Sequence, residues 1–156
     1  LPLLGIAALY LGIGFVVRFF TPDETQIRRL VAHMESAYNR GNPGDCVEPI
    51  ARDWHHAGYE LDRQQLFGAL LQTAQERNRE TRELPTRVTI DEDAATVSVQ
   101  DDHAQLELEA LFERRRGDAW QQTWRIRVEA ELVDGDDGWQ IVRSRHQDLA
   151  GTHLGR

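Results

Sequence analysis

From Trp124 the chain alternates cleanly between apolar and polar residues. Trp124, Ile126, Val128, Ala130 and Leu132 fall on one side, and Arg125, Arg127, Glu129 and Glu131 on the other. Period two over that length predicts a half-buried antiparallel strand, Gln121 to Val133. Asp134-Gly135-Asp136-Asp137-Gly138 then turns the chain back into a strand from Trp139 to Gln147. The same rhythm in Leu106, Leu108, Ala110 and Phe112 against Glu107, Glu109 and Glu113 predicts a strand from Gln105 to Arg115. Shorter runs predict strands at Arg87–Ile90 and Ala95–Gln100, and an isolated strand at Asp53–Tyr59.

The period changes ahead of these strands. Ile27, Leu30, Val31, Met34 and Tyr38 recur at helical spacing. Thr21-Pro22-Asp23-Glu24 reads as the helix start, with Thr21 as cap and Glu24 closing a capping box. Gly41-Asn42-Pro43-Gly44 reads as its stop. A short second helix is expected from Asp45 to Ala51. A third opens at Asp62 and Gln65 and buries Leu66, Leu70, Leu71 and Ala74. The charged stretch Gln75–Glu83 is expected to fray. His146 to Arg156 lacks periodicity and reads as a loose tail. Helices first and then a meander of strands predict an α+β domain, with three helices packed on one face of a curved antiparallel sheet.

The first twenty residues are of another kind. Leu1 to Val17 carry no charge, and Arg18-Phe19-Phe20 follow. Twenty helical residues rise about 30 Å, the thickness of a hydrocarbon core. An uncleaved membrane anchor is therefore expected at 1–20, followed by one domain at 21–149 and a flexible tail at 150–156. The bacterial inner membrane is the expected location, with the soluble domain on the periplasmic side.

Formal net charge is −8 over 156 residues, which excludes a sequence-nonspecific nucleic-acid binder. The 18 basic residues are all arginine. Cys46 is the single cysteine, so no internal disulfide forms, and it reads as a small buried hydrophobe. No phosphate loop, dinucleotide fingerprint or zincin helix is present. His55-His56 is the one local constellation. Neighbours on a strand point to opposite faces, so a metal would need His103 or His146 from elsewhere. No cofactor and no metal are expected.

The order of elements, the turn after Tyr38-Asn39-Arg40-Gly41-Asn42, the Asp62-Arg63 helix entry and the final Gly138-Trp139-Gln140-Ile141-Val142 strand resemble the nuclear transport factor 2-like superfamily. This superfamily is also called cystatin-like or ketosteroid-isomerase-like. The resemblance covers about Glu24 to Gln147, and the anchor plus domain also looks like the small membrane-anchored members common in proteobacteria. It implies a cone with an apolar pocket, for which Trp54, His56, Phe112 and Trp124 are the lining candidates.

The resemblance also implies where chemistry would sit. The ketosteroid isomerases place a tyrosine donor on the first helix and a carboxylate base on the strand after the second. Matched at Gly41, those positions fall near Met34 and Gly58, which supply neither group. Asp53, His56 and Tyr38 are the displaced candidates. An epoxide-hydrolase arrangement of Asp53 with Arg125 or Arg127 is countered by the polar strand face those arginines occupy. The expected function is thus a membrane-tethered binding or interaction module without catalysis. Its partners would be a small hydrophobic ligand, a second copy or a membrane protein. A small-molecule isomerase, dehydratase or hydrolase is the alternative.

Overall fold

A computed structural model describes residues 22–151. The proposed anchor at 1–20 lies outside the described residues, as does most of the proposed 150–156 tail. Among the described residues no helix is long and apolar enough to cross a membrane.

Three helices and six strands follow in the order α1 (Asp23–Arg40), α2 (Pro43–Val47), β1 (Ile50–His56), α3 (Arg63–Gln75), β2 (Thr86–Ile90), β3 (Thr96–Gln100), β4 (His103–Arg116), β5 (Ala119–Gly135) and β6 (Gly138–Gly151). The strands form one curved, open sheet in the order β1-β6-β5-β4-β2, with β3 also paired to β4. The sheet is mixed, whereas a purely antiparallel one was expected. β1 runs parallel to β6, because the α3 and β2–β5 excursion brings the chain back beside its own beginning.

The long strands are longer than alternation alone predicts, because backbone pairing continues past the last buried side chain. β6 in particular does not end at Gln147. Arg127↔Gln147, Ile126↔Asp148, Arg125↔Ala150 and Trp124↔Gly151 keep it on β5, so most of the supposed loose tail is strand. Gly151 has φ +71°, and a Cβ there would run into the Thr123 carbonyl.

At the front of the chain the helix boundaries differ from expectation for local reasons. α1 begins at Asp23 with Pro22 as N-cap and no side-chain cap, and Glu24 pairs with Arg28 at 2.9 Å instead of closing a capping box. Gly41, at φ +64°, ends α1 by donating its backbone N–H to the Ala37 and Tyr38 carbonyls. The stop is at once a start: Asn42 Oδ1 accepts the Asp45 N–H and Pro43 takes the first helical position, so α2 is Pro43–Val47 and not Asp45–Ala51. That frees Ile50 to begin β1, three residues earlier than expected.

α3 starts with the expected Asp62/Gln65 capping box, its two bonds 2.8 and 2.9 Å long. It stops at Gln75 without fraying onward. Beyond it Asn78 Oδ1 accepts the Glu80 and Thr81 N–H groups and folds the charged stretch into a turn.

The core lies between α1, α2 and the inner face of the sheet. Ile27, Val31, Val47, Trp54, Leu106, Ile126, Leu132, Trp139 and Ile141 form one buried cluster. Ile27 and Leu132 are essentially inaccessible, and each contributes roughly 1.5–3 kcal/mol by leaving water. α3 is different: none of its residues is buried, and Leu71, expected in its stripe, is exposed. The helix leans on α2 and β1 with Leu66 and Leu70 alone turned to the core.

Candidate functional site

Beyond the core, the inner face carries a row of rings that continues to the ends of β4, β5 and β6. Alternation places it there. Phe112 on β4 faces Trp124 on β5, and Val128 on β5 faces His146 on β6. β1 adds Trp54 and His56, whose neighbour His55 points the other way and is exposed.

The rings touch in sequence. Tyr38 meets Phe112 edge-on at 5.7 Å, and Phe112 meets Trp124 at 5.1 Å. Trp124 meets His146 at 5.3 Å, and His146 meets His56 at 4.9 Å. Trp54 closes the far end, 6.4 Å from His56. Edge and offset contacts of this kind are each worth roughly 0.5–1.5 kcal/mol beyond area burial. Phe112, Trp124 and Val128 along the row are only partly buried. The row therefore forms a half-covered apolar wall.

Most of the polar groups of this wall gather toward its His56 end. Trp54 Nε1 donates to Ser144 Oγ at 3.2 Å, and Trp124 Nε1 donates to Asp148 Oδ1 at 2.8 Å. His56 Nε2 and His146 Nδ1 share a hydrogen bond of 2.9 Å. His146 Nε2 lies 3.8 Å from Asp148 Oδ1. The other nitrogen of His56, Nδ1, is buried and meets no hydrogen-bond partner. Burial, with the adjacent His146 second, pushes the His56 imidazole below its ordinary value, so His56 is neutral at pH 7. Tyr59, on the turn after β1, lies across this end, stacked on His146 at 5.4 Å and 9°.

The residues singled out from the sequence thus separate. Trp54, His56, Phe112 and Trp124 share the row. Tyr38 sits at its opposite end, where burial raises its phenol above the usual value and Thr86 Oγ1 is 3.5 Å away. Asp53 is exposed. Arg125 and Arg127 do not approach it, and both bind Glu109 on the outer face, at 2.5 and 2.9 Å. His103 pairs with Asp102 at the surface. Among the described residues no three His, Cys, Asp or Glu side chains are placed to hold a metal. The two row histidines direct nitrogens at each other and not at a common centre. Cys46 is buried, which pushes its thiol up to about 11.

Sequence reasoning missed Tyr59, Ser144 and Asp148. Continuing the alternation past Ile141 would have placed Ser144, His146 and Asp148 on one face, but a β-bulge between Glu131 and Leu132 shifts the phase there. A concavity of about 430 Å³ is lined by Gln105, Glu107, Glu129, Glu131, Arg143 and Arg145 together with Ala57, Leu106 and Ala130.

No family model and no curated protein matches the chain. Solved structures do. A nuclear transport factor 2-like protein with a cystatin-like fold from Novosphingobium aromaticivorans is 16% identical, with 92% of each chain covered and a TM-score of 0.69. A nuclear transport factor 2-like superfamily protein from Salmonella enterica serovar Typhimurium is 17% identical, covering 86% of this chain and 96% of that one, at 0.62. A structure from Catenulispora acidiphila in complex with S-DNPA is 17% identical, covering 78% and 91%, at 0.59. At these identities the likeness is one of fold, and the fold of this chain is the nuclear transport factor 2-like, cystatin-like one.

Proposed function

We propose that the domain is a non-catalytic binding module that takes a small, flat, largely apolar ligand against the ring row. The observation that carries this reading is the half-covered aromatic wall with most of its polar groups gathered toward His56. Sites for small ligands pair a broad apolar lining with a few converging polar groups. Here the apolar lining is Phe112, Trp124 and Val128, and the polar end is His56, His146 and Ser144. The S-DNPA complex of the Catenulispora neighbour supports a ligand role for this fold.

The neutral His56 gives an enzyme reading its one observation, since a neutral imidazole is a general base. The rest of the arrangement favours binding. A base needs an electrophilic partner across one substrate atom. Tyr38 is separated from His56 by Phe112, Trp124 and His146, and Asp53 is exposed.

The uncharged run Leu1–Val17 supports tethering of this module to a bacterial inner membrane, and the periplasmic side is the one proposed for the domain. A periplasm-active reporter fused to the C-terminus tests the side. The outer face, with its alternating Glu and Arg, suits pairing with a second copy or a membrane protein. Binding is tested by titrating the full chain with 2-methoxynaphthalene and following the four tryptophan indole N–H signals. The Trp124 and Trp54 signals are expected to move and saturate, and Trp124→Ala to weaken binding by about tenfold, as a lost aromatic contact of 1.4 kcal/mol would. If the signals stay still, or only outer-face resonances respond, the reading is wrong.

A further inference from the structure

The polar end of the row has a built-in direction. His146 Nε2 faces the Asp148 carboxylate at 3.8 Å. That is too long for a hydrogen bond, but a lone pair turned toward an anion is repelled and an N–H is attracted. When His146 carries a single proton, that proton therefore belongs on Nε2, which leaves Nδ1 as an acceptor. The 2.9 Å bond to His56 then requires His56 Nε2 to be the donor. A neutral imidazole has one N–H, so His56 Nδ1 carries a bare lone pair.

The opposite assignment fares worse at both ends. It would turn the His146 Nε2 lone pair toward Asp148 and leave an N–H on His56 Nδ1. Buried N–H groups without partners are rarer than under-used acceptors. Asp148 is itself fixed by Trp124 Nε1 at 2.8 Å, which ties the direction of the chain to the ring row.

We infer that Asp148 and His146 set the tautomer of His56 so that Nδ1 accepts a hydrogen bond, and that the site takes a flat apolar ligand bearing one O–H or N–H donor, admitted when the Tyr59 ring moves aside. This rests on the binding reading above and adds the chemical class of the ligand. His56 is 8% exposed, and a buried, unpartnered acceptor is costly until something donates to it. Tyr59 is the removable cover. Its side chain is 58% exposed and rests on the two histidines through ring contacts at 5.1 and 5.4 Å. The turn that carries it contains Gly58, around which a Cβ would meet nothing within 4 Å, so that side of the turn is open. Asp148 and His146 are positioning residues on this account, and His56 is the ligand contact.

The test uses the full chain and two probes of the same shape, 2-naphthol and 2-methoxynaphthalene, which differ in the donor. Long-range ¹H–¹⁵N spectra of the imidazoles at pH 7.5 read the tautomers directly, without a variant. The expected results are a proton on Nε2 of both histidines and 2-naphthol binding at least about tenfold more tightly, because only that probe satisfies Nδ1. In Asp148→Asn, which keeps an acceptor for Trp124, that preference for 2-naphthol over 2-methoxynaphthalene should fall to about threefold or less. Tyr59→Ala should bind 2-naphthol faster. A proton on His56 Nδ1 would overturn the inference whatever the probes do. Equal binding of both probes would overturn it and leave the binding reading intact. Failure of both probes to move the Trp124 and His56 signals would overturn the two together.

Discussion

His56 is the buried polar side chain of the described core, and its neutrality has a consequence for stability. In the unfolded chain its imidazole titrates near 6.5, whereas in the fold burial and His146 lower that value. Between the two values the unfolded state binds more protons, so stability falls as pH drops below about 6.5 and is fully present above it. Denaturant unfolding at pH 7.5 and pH 5 should show a larger loss in the natural chain than in His56→Gln, which cannot titrate. Equal losses would mean that the imidazole is not held neutral. The residue scale also shows why Cys46 is inert. Its thiol, pushed up to about 11 by burial, stays protonated at every physiological pH.

Among elements, the joint between α1 and β2 decides how the sheet ends. β2 lies at the edge of the sheet, where unpaired backbone groups invite another strand. α1 covers them with two side chains one turn apart. Asn39 donates to the Val88 carbonyl and accepts the Val88 N–H, both at 2.8 Å, and Glu35 accepts the Ile90 N–H at 3.2 Å. The helix thus completes the ladder that a neighbouring strand would otherwise supply. Asn39→Ala removes both bonds at Val88 and leaves that backbone unsatisfied, so a loss of about 2–3 kcal/mol is expected in chemical denaturation, with faster aggregation. A loss below about 0.5 kcal/mol would show that water serves the edge as well. Neither contact was legible in the sequence. Asn39 and Glu35 lie on a helix, and the Val88 and Ile90 backbone they bind sits in a strand more than forty residues away.

At the scale of the whole molecule the two faces of the sheet divide the work. The outer face carries Glu109 with Arg125 and Arg127, and Glu129 with Arg145. The Glu109 carboxyl is held below its ordinary value by hydrogen bonds from Arg127 and Arg125, but the ladder is open to solvent and such pairs contribute little. The inner face carries the core. Leu132→Ala should therefore cost about 2–5 kcal/mol in a urea titration, and Glu109→Gln far less in the same experiment. A larger loss at Glu109 would mean that the outer face is desolvated by a second copy or another partner.

Local chemistry determined the elements of this protein. Strand alternation, helical stripes, the Gly41 stop and the Asp62/Gln65 cap depend on residues within a few positions of one another, and each is readable from the chain. The lining of the row was readable for the same reason: Trp54 and His56, like Phe112 and Trp124, follow the parity of their strands. Tertiary structure decided what no local rule reaches. It laid β1 parallel to β6, shifted the phase of β6 at a bulge, and so joined His56 to His146 across ninety residues. Parity along one strand says which face a side chain takes. Only the register between strands says which side chain it meets.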